Sequence, residues 1–136
     1  MKTALRRGLF AAVSVTVALA CGACTRTVSR GVNDAGVPDE VVFPDLDADK
    51  EKRAISPNLE NLGKIKSGLG KRDIYYLLGA PHFSEILGAR EWDYVFRFER
   101  NGQPVYCQYK IVYDKDARAA SFYWKPEQCA ALGQGR

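Results

Sequence analysis

The sequence predicts an α+β domain in which two short helices cover one face of a three-stranded antiparallel meander, in the order ααβββ. Helix-forming segments over 57–79 precede strand-forming segments over 92–124, and this separated order is typical of α+β proteins. Two of the strand segments alternate apolar and polar residues. Asn101-Gly102 between them is a strong hairpin signal.

Each helix has a start signal and a buried face. Ser56 and Pro57 supply an N-cap followed by proline at the first helical position, so the first helix is predicted to begin there. The second begins at Lys71 and ends at Gly79, because Pro81 prevents it from continuing. The apolar residues at helical spacing are Leu59, Leu62 and Ile65 in the first helix, and Ile74, Leu77 and Leu78 in the second.

The hairpin turn predicts the register of the first two strands. A two-residue turn at Asn101-Gly102 pairs Phe98 with Val105, Phe96 with Cys107, Tyr94 with Tyr109 and Trp92 with Ile111. Both residues of every pair are apolar, and a slip of one residue would place the apolar face of one strand opposite the polar face of the other. The third strand is expected over about Arg118 to Trp124, with Ala120, Phe122 and Trp124 facing in. Glu91 and Asp93 fall on the opposite, solvent face.

Residues 1–20 have the layout of a cleaved secretory signal. Lys2, Arg6 and Arg7 precede an uncharged stretch over 8–20, which is shorter than the about 20 apolar residues that a membrane span needs. The alternative is a buried N-terminal helix. The chain has 20 basic and 16 acidic residues, so removing these three basic residues leaves 17 against 16. Such a balance gives no electrostatic footprint for nucleic acid.

The segment Val17-Ala18-Leu19-Ala20-Cys21 resembles a lipobox, the sequence at which bacterial lipoproteins are cleaved and lipidated. Cys21 is therefore the predicted lipidation site. Cys24 is the alternative, although Cys21-Gly22 before it is a poorer match. Ordinary cleavage would instead leave two N-terminal thiols, which are unusual in an oxidising compartment.

A lipidated flexible tether is expected over 21–56, because its polar residues show no regular apolar period. One apolar island, Val41-Val42-Phe43-Pro44, interrupts it. This island is either a short piece packed on the domain or an extended segment that pairs with a partner's sheet edge.

Few residues in the domain have side chains suited to catalysis, metal binding or covalent bonding. Cys107 and Cys129 are predicted to form a disulfide in an exported domain with a small core, and two buried reduced thiols are the alternative. His82 is the single histidine of the sequence, so neither a histidine metal cluster nor a familiar catalytic arrangement is indicated. We expect no metal, no cofactor other than the covalent lipid on Cys21, and no enzymatic activity.

The run from Gly68 to Phe83, followed by Arg90-Glu91-Trp92-Asp93-Tyr94-Val95-Phe96, resembles the SmpA/OmlA (BamE-like) family of outer-membrane lipoproteins. The resemblance covers about residues 57–129, which leaves 130–136 as a C-terminal tail. One departure is Gly70, where the family usually has Thr or Ser, so the second helix lacks a side-chain cap.

This resemblance implies a lipid-anchored, periplasm-facing protein of the outer membrane. It implies a non-catalytic adaptor in outer-membrane β-barrel assembly and envelope integrity. The implied partners are assembly lipoproteins or barrel proteins, with anionic phospholipid headgroups as further ligands. The loop after the second helix holds the predicted partner-binding residues, which are Phe83, Ile86, Leu87 and Arg90. The alternative function is an enzyme inhibitor or envelope-stress sensor with a β-lactamase-inhibitor-like fold.

Overall fold

The computed structural model describes residues 28–46, 50–84 and 90–134. The predicted signal, Cys21, Cys24, Ile86 and Leu87 lie outside them. The described helices are α1 (Lys50–Arg53), α2 (Leu59–Leu62), α3 (Lys71–Leu78) and α4 (Cys129–Gly133). The described strands are β1 (Phe83–Ser84), β2 (Glu91–Arg100), β3 (Gln103–Tyr113) and β4 (Ala119–Lys125). The α+β class is confirmed.

The sheet is an antiparallel meander in the order β1-β2-β3-β4. The predicted register is confirmed from Arg100 opposite Gln103 to Trp92 opposite Ile111. Asn101 and Gly102 both have positive φ, at 52° and 75°, which matches the twist that a two-residue hairpin turn requires. The two-residue β1 adds an edge to the three strands that the sequence predicts.

One face of the sheet forms an aromatic core beneath the helices. The ring of Phe96 lies 5.6 Å from that of Tyr94 and 5.9 Å from that of Tyr109, measured between centroids. Ile74 of α3 is fully buried against this layer. The other buried members are Leu62, Leu78, Phe98, Cys107, Ile111, Tyr113, Ala119 and Cys129. The alternation that predicted this face therefore places its residues correctly.

The predicted disulfide between Cys107 and Cys129 is present. It joins the centre of β3 to the start of α4, 22 residues further along the chain. The expected tail is helical as far as Gly133, where a Cβ atom would lie 2.7 Å from the Trp124 ring. This close approach extends the core into a segment that has too few apolar residues to signal a helix.

The start of the first helix differs from the prediction. Asn58, not Ser56, caps α2, and its Oδ1 accepts a hydrogen bond from the Asn61 backbone N–H at 3.0 Å. The chain before it is extended because Ile55 pairs with β2, donating its N–H to Val95 and accepting from the N–H of Arg97. The strand pairing outweighs the local signal of Ser56-Pro57.

The N-terminus of α3 agrees with the prediction. Gly70 occupies the N-cap position and offers no side-chain acceptor. The Asp73 carboxylate instead accepts from the Gly70 backbone N–H at 3.1 Å. A negative group in the first turn also suits the positive end of a helix.

Residues 28–46, here called the N-terminal strap, lie on the second face of the sheet. The expectation of a flexible tether is wrong for these residues, although 21–27 and 47–49 are not described. The strap folds back on itself through a bridge between Arg30 and Glu40. Polar partners on the sheet satisfy its backbone, so it needs no apolar period of its own. The packed alternative for Val41–Pro44 is the one observed, since Pro44 is buried and its carbonyl accepts from Gln108.

A bulge in the β3–β4 pairing changes one predicted core position. The register shifts between Val112 and Tyr113, so Ala119 pairs with Tyr113 and joins the core. Ala120, which was expected to face in, contacts Gly36 of the strap. A Cβ at Gly36 would lie 2.6 Å from the Ala120 Cβ, and the backbone of Gly36 has a φ of 74°. A side chain at Gly36 would therefore push the strap off the sheet.

Candidate functional site

Three charged side chains meet between the strap and the sheet. Lys110 of β3 is fully buried, and Glu91 and Asp93 of β2 are 2% and 4% exposed. The register places Asp93 directly opposite Lys110. The Lys110 ammonium donates to the Glu91 carboxylate and, at 2.8 Å, to Oδ2 of Asp93. The two carboxylates were expected to be solvated, and that expectation is wrong because the strap covers their face.

The strap contributes polar contacts to this cluster. The Ser29 backbone N–H donates to both oxygens of Glu91, at 3.1 and 3.2 Å. The Lys110 ammonium lies 5.7 Å from the centroid of the Phe43 ring, within range of a cation–π contact. The Ser29 hydroxyl accepts from the Val42 N–H and closes the strap on itself. The charged cluster therefore fixes the position of the strap.

The predicted partner-binding residues are only partly described. Phe83 lies in β1 opposite Asp93 and is half-buried. Arg90 is half-buried and its guanidinium donates to the Val32 carbonyl of the strap at 2.7 Å. Its own carbonyl accepts from the Tyr113 N–H. Arg90 thus has a structural contact, while partner binding by this loop stays a prediction.

His82 links α1 to the sheet. Its Nε2 lies 2.6 Å from the Arg53 carbonyl, and its Nδ1 accepts from the Val95 N–H at 3.1 Å. These two bonds require the neutral ring with its proton on Nε2. Both ring nitrogens are therefore engaged with backbone groups. In the described part of the chain, no group of three or more His, Cys, Asp or Glu residues is placed to hold a metal ion.

The tyrosines of the core are also structural. Burial raises the pKa of Tyr94, and the Tyr94 hydroxyl donates to the Gly79 carbonyl at 3.1 Å. Burial, and secondarily the neighbouring Tyr94, raises the pKa of Tyr109. Both phenols hold their protons at neutral pH, and their rings pack the sheet against α3.

The described helices are all too short or too polar to cross a membrane. The predicted anchor precedes the described residues, so lipidation of Cys21 stays a prediction.

Comparison with known proteins identifies the family of the domain. Residues 55–123, just over half of the chain, match the family described as the outer membrane protein assembly factor BamE domain. The outer membrane protein assembly factor BamE of Polynucleobacter necessarius is 35% identical over 46 residues. That match covers 34% of this chain and 20% of the relative, so the chain spans about a fifth of that protein's length.

A solved structure titled as a putative osmotically inducible lipoprotein, OsmE, is also similar. It shares 13% identity, with 57% of this chain and 86% of that chain covered, and the TM-score is 0.36. A score this low does not establish a common fold, whereas the family match rests on sequence over the whole of α2, α3, β2 and β3 and most of β4. The chain belongs to the BamE domain family of outer-membrane protein assembly factors.

Proposed function

We propose that this chain is an outer-membrane lipoprotein that acts as a non-catalytic adaptor in the assembly of outer-membrane β-barrel proteins. The observation that carries the proposal is the BamE domain over residues 55–123. The buried polar side chains of the described domain, such as Lys110, Asp93 and Gln108, bond to one another or to the strap, which fits a structural role for them.

The anchor is a lipid on Cys21, with Cys24 as the alternative, and the domain faces the periplasm. The support is the signal-like segment and the small residues before Cys21. Lipid chains gain about 0.8 kcal/mol for each buried methylene, so two or more chains hold a protein stably at a membrane. Mass spectrometry of the mature N-terminus tests this. An unprocessed chain that begins at Met1 and remains in the cytosol would contradict it.

Partner binding is assigned to the loop that contains Phe83, Ile86, Leu87 and Arg90. A loop with apolar and basic residues outside the regular elements is a common binding surface. Phe83 lies in β1 and Arg90 directly precedes β2, so these two of the four residues have described positions.

Crosslinking and affinity purification of the full chain from its own cell envelope test the adaptor role. We expect barrel-assembly proteins to be recovered, and Phe83→Ala and Arg90→Ala to reduce that recovery. Tyr76→Ala, an aromatic truncation at a position 74% exposed on α3, is the control for Phe83. Arg97→Ala is the control for Arg90. Specific recovery of a single envelope hydrolase would favour an inhibitor instead. Recovery unchanged in both loop variants would contradict the assignment of the loop.

A further inference from the structure

The strap attaches the chain to the sheet close to the predicted lipidation site. Ser29 is eight residues after Cys21, and its backbone N–H donates to both oxygens of the buried Glu91. Lys50, the first residue of α1, is 29 residues after Cys21. We call the chain from Cys21 to the first residue held on the domain the link. The strap makes Ser29, and not Lys50, the end of this link.

The strap is held along its whole length. Besides Glu91, its polar partners on the sheet and the β3–β4 turn are Gln108, Lys115 and Ser121. These groups donate to backbone carbonyls in the middle of the strap, at Asp34 and Gly36, and near its end, at Pro44. A pull on the link at Ser29 therefore acts on a segment that several strands hold.

The contour length of the chain limits how far the domain can lie from its anchor. Each residue adds at most about 3.3–3.6 Å, whatever the conformation of the chain. With the strap on the sheet, Ser29 can lie no further than about 29 Å from Cys21. With the strap off the sheet, Lys50 could lie as far as about 100 Å from it. Lipidation at Cys24 would shorten both limits by about 10 Å.

We propose that the strap shortens the link and so holds the domain at the periplasmic surface of the outer membrane, with the strap side toward the lipid. The inference rests on the proposed lipid on Cys21. A domain of about 100 residues has a radius of gyration of about 13 Å, which corresponds to a diameter of about 33 Å. Its partners must therefore present their binding sites within about 60 Å of the anchor.

The short link also restricts the orientation of the domain. Tyr76 of α3 is 74% exposed on the helical side of the sheet, opposite the strap. For Tyr76 to touch the membrane, the link would have to pass around the edge of the domain and span its thickness of about 33 Å. That distance exceeds the limit of about 29 Å. The exposed side of α3 therefore faces the periplasm, where protein partners can reach it.

The test places the same insertion at two points of the full lipidated chain, purified from its envelope and returned to vesicles of phosphatidylethanolamine and phosphatidylglycerol. A flexible twenty-residue Gly-Ser segment between Arg26 and Thr27 lengthens the link to at most about 100 Å. The same segment between Asp47 and Ala48 follows the strap, so it leaves the link unchanged while the strap is on the sheet. Both points lie outside the described ranges, so neither insertion interrupts a described element.

Energy transfer from a fluorescent amino acid at Tyr76 to acceptors on the lipid headgroups measures the distance. We expect the insertion after Arg26 to lower the transfer at least about twofold, since the maximum reach rises more than about threefold. The insertion after Asp47 should leave the transfer unchanged. The same donor at Val37, which is 47% exposed on the strap, should give higher transfer than the donor at Tyr76. The insertion after Arg26 should remove that difference.

A point substitution releases the strap without changing the length of the chain. A Cβ at Gly36 would lie 2.6 Å from the Ala120 Cβ, so Gly36→Ala should expose the amides of residues 28–46 to hydrogen exchange and lower the transfer from Tyr76. Gly68→Ala is the matched control. Gly68 also has a positive φ, at 89°, but a Cβ there meets no atom within 4 Å. It should leave the transfer unchanged.

Four outcomes would overturn the proposal. An equal fall with both insertions would show that the strap does not hold the chain. No fall with either insertion would show that the domain binds lipid directly. Unchanged transfer in a Gly36→Ala chain whose strap has lost amide protection would remove the strap as the cause, and equal transfer from Val37 and Tyr76 would contradict the orientation.

Failure of the proposed function gives a different result. Mass spectrometry of the same preparation shows whether Cys21 or Cys24 is lipidated. A chain without lipid at either position would overturn the anchor in the proposed function, and this inference with it. A lipidated chain in which the two insertions act equally would overturn this inference alone.

Discussion

The two faces of the sheet are built from the same strands and are buried by different means. The face beneath α2, α3 and α4 is an apolar layer centred on Phe96. The face beneath the strap contains Lys110, Glu91, Asp93 and Gln108, all less than a tenth exposed. The same face also holds the buried Val95 and Val112, and alternation along the strands separates it from the aromatic layer. The comparison teaches that a polar strand face need not be a solvent face, because a covering segment with polar backbone groups can satisfy it.

The two faces also differ in what burial contributes. Removing apolar surface from water stabilises a fold by about 25 cal/mol for each Å². A buried ion pair gains little net stability, since the cost of desolvating both charges offsets their attraction. The aromatic face therefore supplies most of the stability, and the charged face determines where the strap lies.

The largest expected effect comes from Lys110→Met. Two buried carboxylates would lose their cation, and we expect a loss of about 3–5 kcal/mol in the free energy of unfolding. Chemical denaturation of the full chain measures it. Lys125→Met, at an exposed position of β4, is the matched control and should change stability by less than about 0.5 kcal/mol. A stable Lys110→Met protein would show that the cluster is not closed to water.

The next prediction concerns the disulfide, which joins the aromatic face of β3 to α4. Replacing Cys107 and Cys129 together by alanine should lower the free energy of unfolding by about 3 kcal/mol, since the bond closes a loop between residues 22 apart. The strap should be affected only through this global loss. Selective loss of amide protection in residues 28–46 would indicate instead that the two faces are coupled.

A smaller effect is expected at the strap alone. Ser29→Ala removes the hydroxyl that accepts from the Val42 N–H at 3.1 Å, at a cost of about 1 kcal/mol. Hydrogen exchange should quicken at Val42 while the amides of β2 and β3 keep their protection. Ser67→Ala is the control, because the Ser67 hydroxyl donates to the Ala120 carbonyl outside the strap. If Ser67→Ala changed the hydrogen exchange of Val42 as much as Ser29→Ala does, the strap would not open independently of the rest of the domain.

The smallest effect concerns the helical layer. Gly70→Ser would supply the missing N-cap acceptor of α3 and should raise the free energy of unfolding by about 0.3 kcal/mol. The added Cβ would meet Arg118 Nη1 and Asp73 Oδ2 at 3.4 Å, which is ordinary contact. Gly70→Ala adds the Cβ without an acceptor, so thermal unfolding of the two variants separates the cap from the methyl group. An equal rise in the free energy of unfolding in both variants would show that the N-cap hydrogen bond is not the cause of the rise.

Local chemistry predicted much of the fold. The Asn101-Gly102 turn and the two-residue period together specify the register of β2 and β3, because a slip would reverse every side chain. Gly79 and Pro81 end α3 where the sequence predicts. Ser56 was the wrong cap because Ile55, one residue earlier, is committed to a pairing with β2. That pairing joins residues about forty positions apart, and no local pattern signals it.

The sequence by itself predicted the order of α2, α3, β2, β3 and β4, the apolar faces of β2 and β3 and the disulfide between Cys107 and Cys129. These predictions follow from the short-range spacing of apolar residues in helices and strands and from the small number of cysteines. Only the tertiary structure decided that residues 28–46 cover the second face and that Lys110 is buried with Glu91 and Asp93. Those features depend on contacts between polar groups that are distant in the chain. A polar residue that is exposed to water and one that is buried with hydrogen-bond partners have the same sequence pattern.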